Sequence, residues 1–178
     1  MYHRQAGFSL IELCITVAIA ALIMTVGVPS FQSLSSENHA SSHLDEFNGA
    51  FRLARHLAVE HNRSAKVCPR IHGSDPVATP SCDTSGSANW GNGWIVMLQN
   101  ESGNYTDIMT SPHPVDGTTW IVRKDSPPDL IKEVVFGPTG TLRPPSSPSV
   151  VVEISLAGCT KRTRIALTGS LSFDATGC

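Results

Sequence analysis

The sequence predicts an α+β fold in which one long N-terminal helix packs against antiparallel strands. Three observations predict it: an apolar run near the N-terminus, an apolar stripe at helical spacing, and a series of short β-rich segments from residue 64 onward. A helix with one apolar stripe must bury it, and a sheet with an apolar face offers the matching surface. The 178 residues suffice for one domain with an appendage.

The apolar run from Phe8 to Val28 is long enough to cross a membrane. Its 21 residues would form a helix of about 31 Å, which matches a hydrocarbon core of about 30 Å. A secretory signal would show a small-residue cleavage site after its apolar core, and the order here is different. Pro29 follows the run and predicts a kink or break in the helix.

Glu12 places a carboxylate inside this apolar run. A charged side chain at bilayer depth is costly and is rarely kept without a partner. Glu12 is therefore the first candidate functional residue.

The segment from Gly7 to Leu13, Gly-Phe-Ser-Leu-Ile-Glu-Leu, resembles the class III leader junction of type IV pilins and type II secretion pseudopilins. The resemblance implies that prepilin peptidase removes residues 1–7 by cutting between Gly7 and Phe8, and that the new N-terminal Phe8 is N-methylated. It also implies a bacterial inner-membrane protein with a single span (8–28) and a periplasmic head, later transferred to a pilus or pseudopilus. Glu12 would then meet the methylated amine of a neighbouring subunit during assembly.

Residues 29–63 continue the helix as an amphipathic segment. An apolar stripe follows spacings of 3, 4, 3 and 4, whereas Asp45, Arg52 and Glu60 occupy other faces and Arg55 borders the stripe. The stripe consists of Leu44, Phe47, Phe51, Ala54 and Ala58. It predicts one helix from Phe8 to about Arg63 that packs on a sheet.

From residue 64 to 178 the pattern predicts a β-rich head. Short segments rich in Val, Ile, Trp and Phe alternate with Gly, Pro, Ser and Asn, which is typical of antiparallel strands. The predicted strands are Ser64–Cys68, Trp94–Leu98, Thr119–Arg123, Glu133–Phe136, Val150–Leu156, Arg162–Leu167 and Leu171–Phe173.

The head resembles the minor-pilin branch that contains FimT, FimU and the pseudopilin GspH. The resemblance rests on the Leu-Ala-Arg helix within 51–60, the Val-Cys-Pro segment at 67–69, Cys82 and the Trp-Gly-Asn-Gly-Trp turn at 90–94. The Phe-Gly-Pro-Thr-Gly segment at 136–140 and the region of Cys159 also fit. A type IV pilin-like fold is the implied architecture.

Four of the five cysteines lie in the head, which suggests two disulfides in an oxidising compartment. Cys68–Cys82 and Cys159–Cys178 are favoured because each closes a short loop, and the crossed pairings stay open. A zinc site lacks the paired short spacings that zinc ligands show. Cys14, in the apolar run, is expected to be an inert thiol.

No motif in the sequence predicts an enzyme, a metal site or a cofactor. His39 and His43 share a helical face, as do His56 and Glu60, but no third ligand accompanies either pair. The sequence contains no nucleophile elbow, P-loop or dinucleotide-binding fingerprint.

A C-terminal basic patch predicts a contact with DNA as an alternative function. The net charge of −2 gives no argument for a protein that coats nucleic acid, but residues 140–178 carry a local excess of cations. Period-two alternation, with Ile165 and Leu167 inward, places Arg162 and Arg164 on one outward face suited to phosphates, and these two residues with the neighbouring Lys161 are the candidate DNA-binding residues.

DNA binding in some FimT-like relatives is associated with a Gly-Arg-x-Arg stretch. The corresponding stretch here is Gly-Ser-Leu-Ser at 169–172, and with Leu171 and Phe173 inward its serines replace the arginines. A solvated strand face is the competing interpretation of the basic patch.

Three functions remain at this point. The favoured one is a minor pilin that assembles through its helix into the initiation or tip complex of a type IV pilus. The second is a type II secretion pseudopilin for protein export, with other minor and major pilins or pseudopilins as partners in either case. The third is a DNA-binding pilin for natural transformation.

Overall fold

A computed structural model describes residues 9–71, 81–85, 89–110, 118–125, 129–144, 148–156 and 158–174, with the side chains of residues 26–33 left out. The chain divides into two compact units, Met1–Ser36 and Glu37–Cys178. The second unit carries the hydrophobic core and is called the head below.

A single helix, α1 (Leu10–Glu60), supplies the N-terminal element. It is continuous through Pro29, so the prediction of one long helix is confirmed and a break at Pro29 is excluded, because one proline removes only one backbone hydrogen bond and a long helix retains the others. The helix ends slightly before the predicted Arg63. Asn62 has a left-handed backbone (φ 52°), and the Arg63 amide donates to the Ala58 carbonyl at 3.1 Å, an ending typical of the Schellman motif.

The predicted stripe of α1 is confirmed as the buried face. All five of its residues are at most 5% exposed, and they share one cluster with the apolar faces of both sheets. Asp45, Arg52 and Glu60 are exposed, as the helical spacing predicted. Burial of a stripe this wide gives the second half of α1 its place in the fold.

Nine strands lie in the described part of the head, and every pairing is antiparallel. One sheet has the order β3-β2-β1-β5-β6 and the other the order β4-β7-β8-β9. The strands are Ala65–Pro69 (β1), Trp94–Gln99 (β2), Tyr105–Thr110 (β3), Thr118–Lys124 (β4), Val134–Phe136 (β5), Leu142–Arg143 (β6), Val150–Leu156 (β7), Cys159–Ile165 (β8) and Leu171–Asp174 (β9).

The Trp-Gly-Asn-Gly-Trp turn places two tryptophan side chains in the core. It begins as a short 3-10 helix (Trp90–Asn92), and Gly93 adopts a φ of 93°, a conformation that favours glycine. Phe47 of α1 lies between the resulting rings, at 5.4 Å from Trp90 and 4.6 Å from Trp94. Trp120 of β4 joins the cluster at 4.9 Å from Phe47. This aromatic cluster holds the helix against both sheets.

Two residues predicted to point inward are exposed instead. Leu167 is 47% exposed because β8 ends at Ile165 and Leu167 lies in the following turn, where Gly169 has a φ of 75°. Phe173 is 55% exposed on β9, which lies at the edge of its sheet. Ile165, in contrast, is fully buried as predicted.

Candidate functional site

The described first half of α1 is exposed along every side. Each side chain from Ser9 to Thr25 is exposed, including Leu10 at 79% and Leu22 at 70%. A helix that is apolar all round is normally buried in lipid or in protein. This part of the chain is therefore the candidate assembly segment.

Glu12 is a polar group in the assembly segment without a partner. Its carboxylate makes no hydrogen bond or ion pair with any residue that the structure describes. The hydroxyls of Thr16 and Thr25 differ, since they donate to the carbonyls of Leu13 and Leu22 at 2.9 and 2.8 Å. The threonines satisfy their own hydrogen bonding, and Glu12 keeps its full capacity for an external donor.

The processing residues Gly7 and Phe8 lie outside the described residues. In the described part of the chain, no helix is long and apolar enough to cross a membrane.

The predicted basic patch is electrically neutralised by the fold. Lys161 pairs with Glu37 of α1 at 3.0 Å, and Arg162 pairs with Glu153 of the neighbouring strand at 2.7 Å. Arg164 lies 3.6 Å from Asp125 and 4.0 Å from Asp174. These three cations therefore face four carboxylates, and the local excess of positive charge predicted from residues 140–178 is cancelled.

The disulfide Cys68–Cys82 is present as predicted, with its Cα atoms 5.5 Å apart. Cys159 is also disulfide-bonded, and its predicted partner Cys178 lies outside the described residues. Cys14 is a free, exposed thiol on the assembly segment.

A cleft on the head surface was missed by the sequence reasoning. It has a volume of about 510 Å³ and is lined by α1, by the turn that follows β8 and by the start of β9. Its lining residues are Arg52, Arg55, His56, Val59, Gly169 and Leu171, and it is called the arginine cleft below. The spacing of Arg52, Arg55 and His56 at i, i+3 and i+4 was the available signal, since such residues share one helix face.

The histidines form no metal site in the described ranges. His56 Nε2 lies 3.2 Å from a carboxylate oxygen of Glu60 on the next turn, and this contact accounts for the predicted pair. No group of three metal-ligating side chains occurs among the residues that the structure describes.

Two shifted pKa values have structural causes. Hydrogen bonds from the side chain and backbone of Ser85 hold the pKa of Asp83 below its usual value. Burial, reinforced by the nearby Glu133 carboxylate, raises the pKa of Tyr105, whose ring also receives Lys66 Nζ at 4.4 Å. Neither residue lines the arginine cleft or belongs to the assembly segment.

Comparison with known protein families identifies a family for this chain. The family model described as "Type II transport protein GspH" matches residues 43–177, which is most of the chain. The chain belongs to the GspH family. Its N-terminus matches the prokaryotic N-terminal methylation motif over residues 2–28. No curated protein sequence matches the chain.

Solved structures of GspH-like proteins share the fold. The type IV minor pilin FimU of Pseudomonas aeruginosa (strain PAO1) aligns with a TM-score of 0.57 and 18% identity, covering 80% of this chain and 92% of FimU. The minor pseudopilin EpsH of the Vibrio cholerae type II secretion system aligns with a TM-score of 0.54 and 9% identity, covering 79% of this chain and 96% of EpsH. The type IV pilin-like α+β fold is thereby confirmed.

Family membership and the methylation motif together define the class of protein. This member of the GspH family is a minor pilin or pseudopilin, a structural subunit of a type IV pilus or a type II secretion system. The motif implies processing by prepilin peptidase and assembly with other pilins or pseudopilins. The family is membrane-anchored.

Proposed function

We propose that this protein is a minor pilin that assembles through its N-terminal helix into the initiation or tip complex of a type IV pilus. Residues 8–28 anchor it in the inner membrane as a single span, with the head in the periplasm, until it is extracted into the filament. The observation that supports this proposal is the Glu12 carboxylate, which has no partner among the described residues and lies on a helix segment whose described side chains are all exposed.

The proposed mechanism depends on the free-energy cost of leaving the Glu12 carboxylate unpaired in an apolar environment. After cleavage between Gly7 and Phe8, the methylated amine of Phe8 on a neighbouring subunit pairs with Glu12. A carboxylate in an apolar environment is expensive when alone, and an opposite charge compensates it only at close range. Glu12 therefore favours subunits that dock in one register over subunits that dock out of register.

A pseudopilin of the type II secretion system is the nearest alternative. It would use the same leader, the same helix and the same head fold, and likeness to FimU and EpsH describes the fold only. Co-isolation of this subunit with pilus proteins or with secretion proteins separates the two. The DNA-binding alternative has less support, because Lys161, Arg162 and Arg164 are all engaged by carboxylates.

The proposal is tested by Glu12→Gln, which removes the charge and keeps the shape. We expect normal membrane insertion but strongly reduced incorporation into sheared filaments, because the amine of the neighbouring subunit loses its counter-charge. Membrane fractionation and quantitative immunoblotting of the filament fraction measure the two steps separately.

Thr16→Val is the matched control, since Thr16 lies one turn further along and its hydroxyl already bonds within the helix. This variant should assemble normally. Wild-type incorporation of Glu12→Gln would refute the role proposed for Glu12, whereas equal loss in both variants would indicate a general defect of the helix.

A further inference from the structure

The arginine cleft presents two guanidinium groups that have no counter-charge among the residues that the structure describes. In the described part of the chain, neither Arg52 nor Arg55 forms an ion pair with a carboxylate. The nearby Glu60 is engaged by His56 at 3.2 Å. This distinguishes the cleft from the predicted basic patch, whose three cations are all paired.

Arg55 is held in place by the turns beside it. Its Nε donates to the Gly140 carbonyl at 3.1 Å, which leaves the N–H donors on its two terminal nitrogens without an acceptor among the described residues. Gly140 and Gly169 both have positive φ angles, 74° and 75°. A Cβ at Gly169 would lie 2.8 Å from Arg55 Nε, so glycine at this turn leaves the space that the arginine side chain occupies.

The two arginines are not explained by an interaction with the partial negative charge at the C-terminus of α1. Cations near a helix C-terminus offset its partial negative charge, but the effect is confined to the last turn. The last turn of α1 contains no basic residue, and Arg52 and Arg55 precede it. A guanidinium group that is already oriented loses less conformational entropy on binding than a free one.

We propose that the arginine cleft binds a carboxylate side chain of a neighbouring subunit in the assembled filament. A guanidinium fork matches the geometry of a carboxylate, and Val59 and Leu171 offer apolar contact to the residue that carries it. The identity of the neighbour as a filament subunit rests on the function proposed above. The binding chemistry rests on the cleft alone.

A protein carboxylate fits this site better than a DNA backbone does. Nucleic-acid binding relies on a groove or row of cations that follows several phosphates. The cleft is a single concavity on the head, and the other predicted cations, on β8, are already bound to carboxylates. An isolated carboxylate needs only one such concavity.

The test titrates the full chain in detergent micelles with the peptide acetyl-Leu-Glu-Leu-amide and with its glutamine counterpart. The readout is the NMR signal of the Nε–H groups of the arginines. We expect saturable shifts for Arg52 and Arg55 with the glutamate peptide, and about tenfold weaker binding of the glutamine peptide, because a hydrogen bond to a charged group is worth more than 1 kcal/mol. Arg52→Ala should abolish the difference between the two peptides.

Arg162→Ala is the control, since it removes an arginine outside the cleft that already has a partner. It should bind the glutamate peptide as the wild type does. Arg52 is exposed and has no hydrogen bond or ion pair among the described residues, so Arg52→Ala should keep the native spectrum elsewhere.

Three outcomes would overturn the proposal. The first is equal binding of both peptides, or no shift of the two arginine signals. The second is equal binding of inorganic phosphate, which would mean a general anion site. The third is tighter, salt-sensitive binding of duplex DNA at the same arginines. Because the peptide titration does not depend on filament assembly, its failure is distinct from a failure of the Glu12 experiment.

Discussion

The two halves of α1 belong to one helix but have opposite surroundings. From Ser9 to Thr25 every side chain is exposed, whereas the stripe from Leu44 to Ala58 is almost fully buried against two sheets. Helical structure is therefore common to both halves. The halves differ in whether other parts of the chain pack against their apolar side chains. The second half therefore stabilises the head, while the exposed apolar surface of the first half is the surface that we propose for contacts outside the chain.

The largest effect is expected from Phe47→Ala. Phe47 is fully buried and contacts three tryptophan rings, so its loss leaves a cavity at the centre of the head. We expect the free energy of unfolding to fall by about 3–5 kcal/mol. Denaturant titration of the full chain in mild detergent, followed by the fluorescence of the core tryptophans, measures the change.

Ile15→Ala is the control in the other half of the helix. Ile15 is 54% exposed and touches no part of the head core, so the unfolding midpoint of the head should stay unchanged. A midpoint shift comparable to that of Phe47→Ala would contradict the conclusion that only the second half of α1 stabilises the head.

The disulfide is expected to contribute the next largest effect. Replacing both Cys68 and Cys82 by Ala opens a loop with a sequence separation of 14 residues and should lower the stability of the head by about 3 kcal/mol in the loop-entropy model. Thermal unfolding under non-reducing conditions measures this loss. Cys14→Ala, on the assembly segment, should have no effect, and an equal loss in Cys14→Ala would contradict the assignment of Cys14 as a free thiol.

Smaller effects are expected on the surface of the head, first at Arg162→Ala. Two nitrogens of Arg162 donate to one oxygen of Glu153, at 2.7 and 3.1 Å, across β7 and β8. A partly exposed cross-strand pair is worth about 1 kcal/mol or less, so the unfolding free energy should fall by that amount.

Arg164→Ala sharpens this last prediction, because Arg164 is more exposed and lies 3.6 Å from its nearest carboxylate. Its loss should change the stability by less than about 0.5 kcal/mol. A larger loss in Arg164→Ala than in Arg162→Ala would show that burial and distance do not rank the ion pairs of this surface.

Strand prediction succeeded for β7 and missed β3 and β6, the two outer strands of the five-stranded sheet. β7 was predicted with its observed bounds because Val150, Val152 and Ile154 share the core face. β3 was missed because it lies at a sheet edge, where Thr106, Asp107 and Ile108 are all exposed and no alternation arises. β6 was missed because two residues are too few to show a period.

The sequence by itself determined the methylation motif, the amphipathic helix and the α+β class, and it favoured the Cys68–Cys82 disulfide, because each depends on residues close together in the chain. Only the tertiary structure decided which charged side chains are paired and which are not. Lys161 meets Glu37, which is 124 residues away, and Arg55 reaches Gly140, 85 residues away. Because Coulomb interactions and hydrogen bonds act over a few ångströms in space, the fold determines which cations are neutralised and which remain available in the arginine cleft.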